Sequence, residues 1–265
     1  MFSVSSLFLE TIEVNRHGGV VTVILNRPAK KNAATVQVWT ELLATLREIS
    51  RSSDDRVVVV TGAGGEFCAG ADLWSQPSET PRHGLASMRH VGDVALALHR
   101  LPQPTIAKVR GVAVGAGCNL AFGCDLVVAG TTARFSEIFT RRGLSLDFGG
   151  SWVLPRRVGL HVAKEIAFFG DILSATDAQA YGLVNRVVDD GELDSFVDEW
   201  CQKLLAMPPI ALAQTKRLLN NSMNVTLEEA LDDEGAAQTV NFGTRDTVEA
   251  IAAFAEKRQP TFRGH

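Results

Sequence analysis

Two glycine-rich loops, each entered from a short apolar run, constrain this chain more than any other feature. Residues 57–60 are four consecutive valines, followed by Gly62-Ala63-Gly64-Gly65-Glu66-Phe67-Cys68-Ala69-Gly70-Ala71-Asp72. Thr105–Val109 leads in the same way into Gly111-Val112-Ala113-Val114-Gly115-Ala116-Gly117. A short, wholly apolar run bounded by turn residues is the mark of a strand covered on both faces. Helical spacing surrounds these strands, at Val36, Trp39, Leu43 and Leu46, and again at Met88, Val91, Ala95 and Leu98. Residues 8–14 and Val20–Leu25 read as strands joined by a turn at His17-Gly18-Gly19, with Asn26-Arg27-Pro28 ending the second. Residues 126–129 predict one more strand. Strand, loop and helix thus recur through the first half, which predicts an α/β core. After Ser151 helix dominates: Ser174 and Asp177 have the spacing of a capping box, and from 192 to 258 the pattern is helical, punctuated by Pro208-Pro209 and Gly243. The expected division is a core over 1–200 and a helical region over 201–265.

Several functions are disfavoured. Gly115-Ala116-Gly117 lacks the third glycine of a dinucleotide fingerprint, and neither loop ends in the Gly-Lys-Ser/Thr of a phosphate-binding loop. A formal net charge of -4 supplies no broad basic surface, so no nucleic-acid partner is expected. Cys68, Cys118, Cys124 and Cys201 form no C-x-x-C pair, and the six histidines no H-E-x-x-H, so no metal site is expected. Residues 111–130 are weakly polar, but their glycines, Asn119 and Asp125 suit a buried turn, helix and strand better than a membrane span. Residues 1–6 lack the basic-then-apolar order of a signal peptide. A cytoplasmic protein with reduced thiols and no membrane partner is the expectation.

Small residues in both loops let a carbonyl group approach the backbone, where two converging N–H groups stabilise an enolate oxygen. For either loop alone, glycines that merely make tight turns are the favoured account. Together they carry more. Phe67-Cys68-Ala69-Gly70-Ala71-Asp72-Leu73, the second loop and Cys124-Asp125 resemble the signature of the enoyl-CoA hydratase/isomerase (crotonase) family. The resemblance continues through Phe135, Gly143-Leu144, Gly149-Gly150, Leu154-Pro155-Arg156, Gly159, Gly170, Ala178, Gly182-Leu183-Val184 and Phe254-Ala255-Glu256-Lys257-Arg258.

That resemblance implies an α/β fold: a crotonase-like spiral of β-β-α units followed by a C-terminal helical trimerisation region. It implies an acyl-CoA thioester as substrate, coenzyme A being part of the substrate and no separate cofactor being required. The N–H groups of Ala71 and Ala116 would form the oxyanion hole. Arg27, Ala29, Ala69, Gly70, Asp72 and Leu73 would line the CoA channel. Val114, Gly115, Gly117, Asn119, Phe139, Gly143 and Leu144 would also contact the substrate or its CoA. Phe254 and Lys257 would reach the CoA of a neighbouring subunit in a homotrimer or dimer of trimers.

One departure stands out. Hydratases of this family carry two catalytic glutamates, and the matching positions here are Asn119 and Phe139. Hydration needs one group to deprotonate water and another to protonate the α-carbon. Asparagine can hold water but not take its proton, and phenylalanine can do neither. A carboxylate does occur eight residues after Phe139, at Asp147, within a segment similar to the ring-isomerising branch of phenylacetyl-CoA degradation. Asp147 is the expected acid/base, with a helix cap as its structural alternative. Glu137, two residues from Phe139, is a weaker candidate base, read rather as a solvated or paired surface acid, and Asp72 and Asp125 are read as structural. The favoured reaction is double-bond or ring isomerisation. The alternatives are a hydratase with non-standard groups, hydrolysis or dehalogenation through a nucleophilic aspartate, and a CoA-thioester binder without catalysis.

Overall fold

The computed structural model describes residues 9–73 and 83–265. The readings made of residues 1–8, and the first part of the stretch from Trp74 to Leu101 in which the acyl pocket lining is expected, fall outside them. Among the described residues the frame is a six-stranded sheet in the order β1-β2-β3-β4-β6-β9. Strands β1 (Ile12–His17) and β2 (Val20–Leu25) form an antiparallel hairpin about Gly18 and Gly19. Strands β3 (Val57–Gly62), β4 (Thr105–Val109), β6 (Leu126–Gly130) and β9 (Arg186–Val188) continue it in parallel. The first strand begins later than its residues predict. The Glu41 carboxylate accepts from the N–H groups of Glu10, Thr11 and Ile12, so the lead-in is held by a helix rather than by the sheet.

The four valines of β3 show how the sheet is covered. Val58 and Val60 point into the main core with Leu42 and Leu46 of α1 (Val36–Ile49), and Val94 and Leu98 of α2 (Gly84–His99). Val57 and Val59 point the other way, against Leu193, Val197 and Cys201 of α6 (Leu193–Leu205). All four are buried, each burial stabilising the fold by about 1.5–3 kcal/mol.

A second, three-stranded sheet was not legible as such. Strand β5 (Val112–Val114), inside the second glycine loop, pairs in parallel with β7 (Arg134–Ser136), which pairs antiparallel with β8 (Leu173–Ser174). Between β5 and β6 lies α3 (Ala116–Gly123), buried over nearly its whole length. Helix α4 (Gly150–Phe169) follows the segment 143–149, and the Ser174–Asp177 capping box opens α5 (Ala175–Ala180). The chain ends in α7 (Pro209–Asn221), α8 (Leu227–Phe242) and α9 (Arg245–Glu256). Lys216 of α7 ties them to the core through an ion pair with Asp125 at 2.7 Å. Asp125 also accepts from the N–H and hydroxyl of Thr105, the structural part expected of it. None of the described helices is long and apolar enough to cross a membrane.

Candidate active site

The two glycine loops run side by side. Cys68 donates its N–H to Val112 and accepts from Val114 N–H, both at 2.9 Å, a short parallel bridge that sets one loop on the other. Two glycines make the approach possible. A Cβ on Gly70, whose φ is 88°, would lie 2.6 Å from the Val114 carbonyl oxygen. One on Gly117 would lie 2.4 Å from the Cys68 oxygen. Asn32, buried and unremarked in the sequence, braces the entry by donating to the carbonyls of Ala63 and Glu66 at 2.9 and 2.6 Å. Glu66 accepts from Val112 N–H at 2.6 Å, which locks the second loop to the first.

This packing brings the two alanines together. The site a Cβ would take on Gly70 is 3.8 Å from the nitrogen of Ala116, and Ala71 is the next residue. Ala116 is the first residue of α3, so its N–H has no acceptor within the helix and sits at the positive end of the dipole. Around Ala71, the N–H groups of Ala69 and Asp72 are used by Lys31 and Ala34, while that of Ala71 has no acceptor among the described residues. Arg27 holds the rim, with Nη1 and Nη2 donating to Asp72 Oδ2 at 3.0 Å each, and Nη1 also bonding the Ala33 carbonyl. Ala29 and Leu73 are exposed beside it and Ala69 is half-buried.

The acids lie on the α3 side. Asn119, buried one turn into α3, donates from Nδ2 both to Glu137 Oε2 at 3.2 Å and to the backbone oxygen of Asp147 at 3.0 Å. Glu137 is not a surface acid, correcting its expected place: it is 0% exposed. It lies one residue past β7, where the chain has already left the extended conformation (φ -88°, ψ 59°), so strand alternation gave no signal of its burial. Burial pushes the Glu137 carboxyl up to about 8, and the nearby Asp147 charge adds to the rise. Hydrogen bonds from Cys118 and Asn119 oppose it. Burial likewise pushes Asp147 up to about 6. Asn119 Oδ1, Glu137 Oε1 and Asp147 Oδ1 are buried with no protein partner among the described residues.

Asp147 is not the cap of α4. The N-cap is Gly149, and no side chain bonds there. The Asp147 backbone oxygen instead takes Gly150 N–H at 2.9 Å as well as the Asn119 amide. Phe148, with a left-handed φ of 48°, turns its ring into the core beside Trp39. A bulky residue in that conformation costs about 1–3 kcal/mol, a strain that clusters at functional sites. Phe139, where a hydratase would place its second glutamate, lies buried with its ring 3.6 Å from the Cβ site of Gly115. Val114 is half-buried at the end of β5, while Gly143 and Leu144 are exposed on the turn after the Phe139 segment. A cavity of about 890 Å³ opens behind Phe148 and Gly149, between Leu98, His99, Trp152 and Lys216.

Phe254 and Lys257 lie at the C-terminal end of α9, which packs on α8, and Phe254 is 87% exposed. Among the described residues no group of three His, Cys, Asp or Glu side chains is arranged to hold a metal.

Comparison with known proteins adds a family to this geometry. The profile described as enoyl-CoA hydratase/isomerase matches residues 15–265. The chain is 36% identical over 250 residues to the 1,2-epoxyphenylacetyl-CoA isomerase of Escherichia coli, covering 93% of this chain and 95% of that one. It is 34% identical over 256 residues to the short-chain-enoyl-CoA hydratase of Clostridium acetobutylicum, covering 95% and 97%. The crystal structure of an enoyl-CoA hydratase from Bacillus anthracis superimposes with a TM-score of 0.92 at 32% identity, over 97% of this chain and all (100%) of that one.

Proposed function

The chain belongs to the enoyl-CoA hydratase/isomerase family and is an enzyme of CoA thioesters, and within that family we propose that it is an isomerase. The observation that carries this reading is the exchange of acids. The two positions of the hydratase glutamates hold Asn119 and Phe139, while the half-buried Asp147 carboxylate is left free because its loop is held by backbone bonds.

The thioester carbonyl oxygen sits between the N–H groups of Ala71 and Ala116. The Asp147 carboxylate takes a proton from one carbon of the acyl group, and the electron pair moves onto the thioester oxygen as an enolate. The same carboxyl then returns the proton to another carbon, the enolate collapses, and a double bond has shifted with no change of mass. One acid that reaches both carbons suffices, whereas hydration needs a second group acting on water. The two amide donors match charge that appears only in the transition state, where one such donor contributes about 10²–10³ in rate. Arg27, paired with Asp72, and the exposed Leu73 form the CoA side of the site, with Phe254 and Lys257 supplied by a neighbouring subunit of a trimer or dimer of trimers.

A mass-spectrometric screen of the purified protein against enoyl-, dienoyl- and aryl-CoA thioesters tests the proposal. Products of unchanged mass and altered structure are expected. A gain of one water as the main reaction would instead make the protein a hydratase with unusual groups.

A further inference from the structure

Glu137 has no part in the chemistry just described, yet it is the most deeply buried acid of the cluster. Its side chain faces α3, which brings Cys118 and Asn119, and the segment 143–149, which brings Asp147. Cys118 is itself wholly buried and held neutral, its thiol pushed well above the usual range by burial. The Arg141–Asp171 ion pair beside the Glu137 backbone is more than half exposed, and among the described residues no cation is among the groups that act on the carboxyl. A buried carboxylate without a cation is costly, and a group so placed keeps its proton. The amide of Asn119 hydrogen-bonds the Glu137 carboxyl and the Asp147 main chain at once.

We propose that Glu137 carries its proton in the working enzyme and is a positioning acid for Asp147, its neutral carboxyl and the Asp147 main chain sharing the single amide of Asn119. This rests on Asp147 being the acid/base. A neutral Glu137 leaves Asp147 as the only negative charge of the cluster, so Asp147 ionises near neutrality and its charge passes to the enolate as the proton moves. An ionised Glu137 sets a second negative charge in the same buried cluster and opposes the enolate. The chain thus replaces the lost hydratase carboxylates with one ionised acid and one protonated acid, brought in from different positions.

Infrared titration of the ligand-free protein tests this without any substrate. The C=O stretch of a protonated carboxylic acid should persist well above the range of ordinary glutamates and vanish with a midpoint near 8. The band should be absent in Glu137→Gln, and in Asp147→Asn its midpoint should fall, because removal of the Asp147 charge relieves the repulsion. In parallel, wild-type exchange of the α-hydrogens of phenylacetyl-CoA in heavy water should decline through the same midpoint, and Glu137→Gln should lose that decline. A wild-type acid band already gone at pH 6, or a midpoint unmoved by Asp147→Asn, would overturn the proposal. Full exchange in Asp147→Asn would instead remove the function proposed above, while the infrared midpoint would still decide the protonation of Glu137.

Discussion

The Trp39 indole packs on the Phe148 ring, with centroids 5.2 Å apart and planes tilted by 36°, so helix α1 anchors the residue that follows Asp147. Together with the hydrogen bonds that Gly150 N–H and the Asn119 side-chain amide donate to the Asp147 carbonyl, this contact places the acid without using its carboxylate. Asp147→Asn should therefore fold normally and bind acyl-CoA with nearly unchanged affinity. Turnover should fall by at least about a hundredfold, the usual weight of a general acid/base. Wild-type turnover in this variant, measured with a substrate from the thioester screen, would eliminate Asp147 as the base.

The pH dependence of kcat/KM should show an ascending limb near 6, since Asp147 must be ionised to take a proton and burial has raised it to about that value. An acid at its ordinary value would place the limb near 4. A limb that low would mean that the base is a solvated carboxylate elsewhere.

Gly70→Ala tests the alanine pair from a residue that donates nothing to substrate. The new methyl would meet the Val114 oxygen at 2.6 Å on a backbone with φ of 88°. The loops must separate, widening the gap between the Ala71 and Ala116 N–H groups. Turnover should drop by about 10²-fold or more, with a stability loss of about 1–3 kcal/mol. Unchanged kinetics would show that loop spacing does not set the oxyanion geometry.

The strands read most clearly in the sequence were those whose residues face two apolar layers, such as 57–60, because a continuous valine run has few other stable places. The small sheet of β5, β7 and β8 was not legible, since Val112–Val114 and Arg134–Ser136 are three residues each and carry no periodicity. Ala71 and Ala116 were singled out through the resemblance of both loops to a family, and the structure sets those loops side by side. Glu137 was not legible, because its burial depends on where β7 ends and on which face α3 presents, both set by tertiary packing. The same limit applies to Asn32, whose hydrogen bonds reach 31 and 34 residues along the chain.

Stability should respond to pH through Glu137. Its folded value of about 8 lies above the ordinary 4.5, so its contribution is fully present below about 4.5 and is lost as pH rises through 8. Asp147 acts in the same sense over a lower window, up to about 6. Urea denaturation of wild type should therefore show a decline between pH 5 and pH 9. Glu137→Gln, which does not ionise, should be spared on the order of 4 kcal/mol of that loss. Parallel declines in the two proteins would mean that Glu137 ionises freely inside the fold.

The outer surface of α9 supplies the last prediction. Val248, Ile251 and Phe254 follow one another at intervals of three and are 66%, 66% and 87% exposed, while Ala253 and Asp246 on the other side are buried. Residues three apart on a helix form one stripe, and a stripe this apolar is stable in water only when something covers it. Leu227 and Phe242 at the ends of α8 extend the surface, at 76% and 72% exposed. A second copy of the chain is the proposed cover, so light scattering at micromolar concentration should find a trimer or a dimer of trimers. Ile251→Glu should dissociate it while leaving the monomer folded, because position 251 makes no core contact. If Phe254 and Lys257 reach the thioester of a neighbour, the dissociated variant should also lose CoA affinity. Lys257→Gly suits the left-handed φ of 54° at that position and should weaken CoA binding with assembly intact. A wild-type protein that stays monomeric would defeat the assembly, and CoA affinity unchanged in both variants would restrict the binding site to a single chain.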